Sequence, residues 1–329
     1  MKFSLRLNND LPVRDYVRYA QAAEAAGFDQ FWVSNDLFLR SAPVILTAVA
    51  IATERIEIGS CILNPFTIHP AEIAMFAVTL DELSGGRFNL GISSGAEDFM
   101  RWLGMEFRHP RTRVLEAIAA INKLTSNQNA AVAGLTLQWT EEAWLRFQSR
   151  RRVPIYLGAM SPRMLEEIGA VADGGLPLLF PPEHYANVLP YVQRGLARSG
   201  RMLDDIDLAA CIWCSVSTDR AAAEAMLADK IAYYGHAMSP LMLRQLGLTP
   251  AGLRHGRCRS RRTRWRTSQT KAATGHAPCR RVVSGCCSCL HARLRTHASR
   301  CSIPHAPTAR RSLYPRRFRR RPRSAGCPR

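Results

Sequence analysis

Short apolar runs alternate with amphipathic stretches through residues 1–253. Met1 to Leu7 sets Phe3, Leu5 and Leu7 against Lys2, Ser4 and Arg6, the period-two pattern of a strand. Pro12 then opens a helix through Ala26, with Val13, Tyr16, Val17, Ala20 and Ala23 at helical spacing, and Gly27 follows as its stop. The same reading gives strands at 28–34, 56–62, 87–93, 153–158, 174–180 and 206–216. Helices are predicted over 42–53, from His69-Pro70 to Ser84, and over 112–124, 162–171, 183–199 and 219–234, with a hairpin through 135–139.

The first four strands start near 1, 28, 56 and 87, a spacing of about 30 residues that fits one strand–helix unit. Repeated units of this kind imply a parallel sheet. Seven in succession point to a (β/α)8 barrel, a TIM barrel. An open doubly wound sheet is the competing fold, and it would carry a glycine-rich turn after the first strand. That turn reads Asn8-Asn9-Asp10-Leu11-Pro12, without glycine, so the barrel is preferred. Its eighth β/α unit is missing from the pattern, because after Thr249-Pro250 the sequence changes character.

Charge locates the change. The 329-residue chain carries 45 Lys+Arg against 26 Asp+Glu, a net +19. Residues 1–253 hold 23 of the bases and all the acids, whereas 254–329 hold 22 bases and no acid. The second stretch also has seven of the ten cysteines and only seven Leu, Ile, Val or Phe, a composition expected of a disordered chain. Its residue usage matches out-of-frame reading of GC-rich coding DNA, which is the favoured explanation. Two others compete: a nucleic-acid arm built on Arg316, Arg317, Arg319, Arg320, Arg321 and Arg323, and a metal knuckle around Cys286 and Cys289. The overall charge therefore marks a break in the chain, and nucleic acid is not the expected partner.

No apolar run reaches the roughly 18 residues needed to cross a bilayer, and the first ten residues do not read as a signal peptide. Three cysteines in 253 residues, Cys61, Cys211 and Cys214, exclude a disulfide scaffold and make a reducing cytoplasm the default. Cys211 and Cys214 sit three apart in a strand pattern, facing opposite sides, so no metal site is expected there.

In a barrel, chemistry gathers at the carboxyl ends of the strands. The candidates are Asn35 and Asp36 after the second strand, Ser60, Cys61, Ile62 and Asn64 after the third, and Gly95, Glu97 and Asp98 after the fourth. After the fifth come Ala159, Met160, Ser161, Pro162 and Arg163. Ser161-Pro162 begins a helix whose free N–H groups and dipole suit a phosphate; the alternative is that Ser161 only caps its helix.

The run TLDELSGGRFNLGISSG (79–95), preceded by NPFTIHPAEIA (64–74), resembles the bacterial luciferase-like superfamily, and within it the deazaflavin-dependent methylenetetrahydromethanopterin reductases. The initial MKF, AEAAGFDQFWVSND (23–36), LTAVAIATERIEIGSCILNP (46–65) and VPIYLGAMSPRMLEEIGAVADG (153–174) fit in order, and the resemblance ends near residue 250. It implies a barrel oxidoreductase that transfers a hydride between coenzyme F420 and a small or pterin-like substrate; an FMN-dependent monooxygenase is the alternative, and a truncated, inactive barrel another. It further implies a non-prolyl cis peptide in a bulge at Ser60-Cys61-Ile62 backing the cofactor ring, Asn64 touching the ring or its tail, and Ala159 to Arg163 taking the phosphate. Homo-oligomerisation is left open. Where relatives carry Asp-His, this sequence has Asn35-Asp36, and Ser93-Ser94-Gly95 is bulkier than the family's glycine-rich turn. Glu97 or Asp98 is the candidate proton donor or acceptor, with a helix-start role as the alternative, and His69 is expected to be structural.

Overall fold

The computed structural model describes residues 1–178, 185–234, 243–244 and 283–286. Strand and helix alternate from the start: β1 (Ser4–Leu7), α1 (Val13–Ala25), β2 (Gln30–Val33), α2 (Ala42–Ala52), β3 (Glu57–Ser60), α3 (Pro70–Leu83) and β4 (Phe88–Ile92). Two helices follow, α4 (Glu97–Trp102) and α5 (Pro110–Thr125), then a small hairpin of β5 (Val132–Ala133) and β6 (Gln138–Trp139). Alternation resumes with β7 (Ile155–Ala159), α6 (Pro162–Val171), β8 (Gly174–Pro177) and α7 (Leu189–Ser199). Next come β9 (Asp207–Leu208), β10 (Trp213–Val216), α8 (Arg220–Tyr234) and β11 (Val283–Cys286). The expected helix over 183–199 begins two residues outside the described set, and α4 was not foreseen.

Period-two alternation gives the main sheet its two faces. Phe31 and Val33 on β2, Leu90 and Ile92 on β4, and Ile155 and Leu157 on β7 join Tyr16, Ile45, Leu46, Val49 and Ile73 from the helices in one buried cluster. The intervening residues turn the other way. Trp32, Tyr156 and Leu176 form a separate buried cluster with Cys61, inside the curl of the sheet. Gly59 makes room there, since a Cβ on it would lie 2.2 Å from Cε3 of Trp32.

Parallel pairing runs through β1-β2-β3-β4-β7-β8-β9, and β10 stands at the other end of the order beside β11. Since β9 and β10 are consecutive in the chain, the sheet curls back on itself. The expected strand over 206–216 is thus two strands, the first paired with β8 and the second with β11. Residues of strands far apart in the order meet inside. Gln30 on β2 donates to Asp207 on β9 at 3.3 Å, and the Trp32 and Tyr156 rings stand edge to face at 5.0 Å. Around the amino-terminal ends of the strands, Glu57 accepts from Gln30 and Asn89, both at 2.9 Å, Asp207 accepts from Tyr156 at 2.8 Å, and Lys2 pairs with both carboxylates. This polar layer closes the amino end of the curl.

Among the described residues, the strand that completes the order between β10 and β1 is β11. Val283–Cys286, from the stretch without acids, lies antiparallel between β10 and β1. An open edge on each side offers unpaired backbone groups that any extended segment can satisfy, which is why a strand forms in a sequence whose composition predicts none. Among the described residues, no helix is long and apolar enough to cross a membrane.

Candidate active site

The carboxyl end of β3 carries the most unusual backbone of the barrel. The ladder to β4 pairs Gly59 with Asn89 and is regained only at Leu63 opposite Ile92, so four residue steps face three. One extra residue is a bulge. Within it, the Ser60 hydroxyl replaces the backbone: it accepts from Gly91 N and donates to Gly91 O, both at 3.0 Å. Cys61 N donates to Val33 O at 2.7 Å, and Leu63 N donates to Gly91 O at 2.8 Å. The bond between Cys61 and Ile62 is a non-prolyl cis peptide. Gly91 is needed for the approach, since a Cβ there would lie 1.9 Å from Ser60 O. The bulge lies against β7 at Gly158, where a Cβ would be 3.1 Å from Cγ2 of Ile62, and Ser93 donates to Gly158 O at 2.8 Å.

Asn64 follows directly and is 6% exposed. Its Oδ1 accepts from Phe66 N at 2.9 Å, while its Nδ2 faces Gly95, at 2.6 Å from where a Cβ would stand. Gly95 has φ +68, a conformation suited to glycine. One strand further, Ser161 is extended and its Oγ accepts from Met164 N at 3.4 Å, so it caps α6. Ser161 and Arg163 are exposed. Ala159, by contrast, has its side chain in the core beneath the helices, leaving only its main chain for a ligand, and Met160 packs on the same core.

The residues after β2 are mostly architectural. Asn35 Oδ1 accepts from Ala42 N at 3.2 Å at the start of α2. Asp36 is gripped by Asn9, which is fully buried: its Nδ2 donates to Asp36 O at 2.9 Å, its Oδ1 accepts from Asp36 N at 3.1 Å, and the same Nδ2 reaches Arg40 O at 2.6 Å. Arg40 N returns a bond to Asn9 O at 3.0 Å. The Asp36 carboxylate accepts from Asn8 at 3.5 Å. Asn9 was missed in the sequence because its partners lie 27 and 31 residues away. Arg6 was missed as well; its guanidinium bonds Ser34 Oγ at 2.8 Å and lies close to the Cys61 thiol. Burial pushes that thiol up to about 11, against the pull of Arg6 and with a further push from Cys211 and Asp36. Glu97 and Asp98 both occupy the first turn of α4; Asp98 pairs with Arg101, and Glu97 is exposed. His69 caps α3 by accepting from Ala71 N at 3.3 Å, and its ring stacks on Trp139 at 5.6 Å.

A bulged strand end, a capped helix start and a rim of fixed loops thus follow the carboxyl ends of the strands, the face on which barrel enzymes carry their chemistry. The sequence model of the luciferase-like monooxygenase family matches residues 2–283, and the chain belongs to that family. It is 30% identical over 251 residues to 5,10-methylenetetrahydromethanopterin reductase of Methanolobus tindarius, covering 76% of each protein. It is 32% identical over 199 residues to the F420-dependent glucose-6-phosphate dehydrogenase of Microbacterium testaceum, covering 56% of this chain and 59% of that protein. The solved structure of the coenzyme F420-dependent tetrahydromethanopterin reductase of Methanopyrus kandleri superposes with a TM-score of 0.69 at 26% identity, over 75% of this chain and 76% of that one.

Three outcomes follow from this geometry. Gly91→Ala drives a Cβ into the Ser60 carbonyl and should destabilise by upward of about 4 kcal/mol, read as a lowered urea midpoint. Asn9→Ala leaves the Asp36 and Arg40 carbonyls without their partner and should cost about 2–3 kcal/mol by the same measurement. Cys61 titrates near its ordinary value of 9.0 when unfolded and near 11 when folded. The folded chain therefore binds more protons across that window, and stability should fall as pH rises through it. Urea melts at pH 8.5 and 10.5 check this: the stability lost on raising the pH should be smaller in Cys61→Ala than in the parent.

Proposed function

We propose that this oxidoreductase binds coenzyme F420 over the mouth and exchanges a hydride with a small organic substrate. The observation that carries the reading is the floor: the bulge at Ser60–Ile62 with its cis peptide lies against Gly158 and next to Asn64 and Gly95, and the strand after which α6 begins, β7, carries Gly158. The residues present fit the cofactor's two contrasting parts. Gly95 and Gly158 let Asn64 and Ile62 pack closely on the main chain beside the bulge, and Ser161, Arg163 and the first-turn N–H groups of α6 are donors for a phosphodiester. FMN shares both parts and is the second ligand to test.

The deazaflavin supplies the hydride chemistry when bound. The chain's own residues orient and exclude water. Ser60 holds the floor rigid through Gly91, Cys61 and Ile62 present it, and Asn64 directs an amide toward Gly95 at the edge of the site. Arg163 and Ser161 anchor the anionic end. Asn35 and the Asn9-held Asp36 fix the opposite rim. Glu97 or Asp98, both in the first turn of α4, exchanges a proton with a bound substrate; the exposure of Glu97 supports the first, since Asp98 pairs with Arg101.

Titration with F420, followed by its fluorescence, should give saturable binding that Ser161→Ala with Arg163→Ala weakens about tenfold. Oxygen consumption with reduced FMN should be absent. Tight FMN binding with oxygen consumption would replace this reading by a monooxygenase.

A further inference from the structure

Two aromatic side chains from different loops stand in solvent against each other at the rim. Phe38 is 70% exposed and Trp102 48%. Their ring centroids are 6.3 Å apart with planes at 43°, and Phe99 backs Trp102 at 5.1 Å. Leu39, Leu103 and Met105 extend the exposed apolar edge.

Loose backbone does not explain their position. Asn9 fastens the chain at Asp36 and Arg40, on either side of Phe38. Phe38 itself has φ 64, a region that bulky residues rarely occupy. Such conformations persist where the surroundings fix them, often at ligand sites. Trp102 closes α4, which starts just beyond Gly95, the neighbour of Asn64. The rings therefore rise from the loops after β2 and β4, the two strands that flank the bulged β3. An exposed aromatic pair carried by the two loops that flank the bulge is apolar surface that a ligand can remove from water.

We propose that Phe38 and Trp102 form a substrate-selecting wall for a flat apolar ring, an aromatic carbonyl compound or a quinone. This rests on the reading of the mouth as a cofactor site. The rings offer faces for stacking, and the indole N–H of Trp102 is their single hydrogen-bond donor, too few for the many hydroxyls of a polyol or sugar phosphate. A protein docked on this edge would close the mouth that the reading requires to stay open.

Calorimetric titration of the full-length protein with 2-methyl-1,4-naphthoquinone tests the wall, with glucose 6-phosphate as the polar control. Phe38→Ala and Trp102→Ala should each raise the quinone Kd about tenfold, while Phe38→Tyr and Trp102→Phe stay within about twofold. F420 affinity should be unchanged in all four. The wall is overturned if the alanine variants bind the quinone normally, if the aromatic replacements lose as much as alanine, or if glucose 6-phosphate binding responds equally. Self-association that the alanine variants abolish in sedimentation velocity also overturns it. Ring-dependent quinone binding without any F420 binding sinks the cofactor reading and leaves the wall standing; F420 binding with ring-independent quinone binding does the reverse.

Discussion

Between Gly59 and Leu63 a single hydroxyl does what two backbone groups do elsewhere in the sheet. By accepting from Gly91 N and sharing Gly91 O with Leu63 N, Ser60 lets β3 step away from β4 without leaving the buried Gly91 N–H unmatched. Leaving that N–H unmatched would cost about 1–3 kcal/mol, a large fraction of a domain's net stability. Everything above it follows from that exchange. Cys61 and Ile62 cover the inner cluster, Asn64 comes to face Gly95, and β4 is drawn close enough that only glycine fits at position 91.

The inside of the curl divides by polarity along its length. Around the strand starts, Lys2, Gln30, Glu57, Asn89, Tyr156 and Asp207 satisfy one another. Above them Trp32, Tyr156, Leu176 and Cys61 are apolar and buried. A charged network at one end and a dry plug in the middle leave the carboxyl end as the face of the curl on which a ligand can rest. The Cys61 thiol, held protonated by its burial, belongs to this dry layer and is no nucleophile at neutral pH.

Period and alternation carried most of the fold. Strand starts spaced about 30 residues apart are a local signal that survives folding, and the helices over 42–53 and 162–171 appear within a residue of their expected ends. The features that stayed hidden depend on distant partners. Asn9 reads as an ordinary turn residue until Asp36 and Arg40 are brought to it, and Asn35 reads as a polar site residue until the start of α2 claims its side chain. α4 escaped because six residues are too short for periodicity to register. β11 escaped because its sequence has no reason to be a strand apart from the two edges that receive it. The family resemblance implied a non-prolyl cis peptide at Ser60-Cys61-Ile62, and the backbone carries one between Cys61 and Ile62, while the bonding of Ser60 to Gly91 across the bulge required the geometry.

The Asn9 clamp separates two properties of the β2 loop that are usually tied together. Its span is set by bonds at Asp36 and Arg40, and its apex by whatever residues lie between. Positions 37–39 can therefore vary by single substitutions without moving the loop's feet. A barrel built this way can diversify what it admits at the rim while the floor beneath remains under a separate and much stricter constraint.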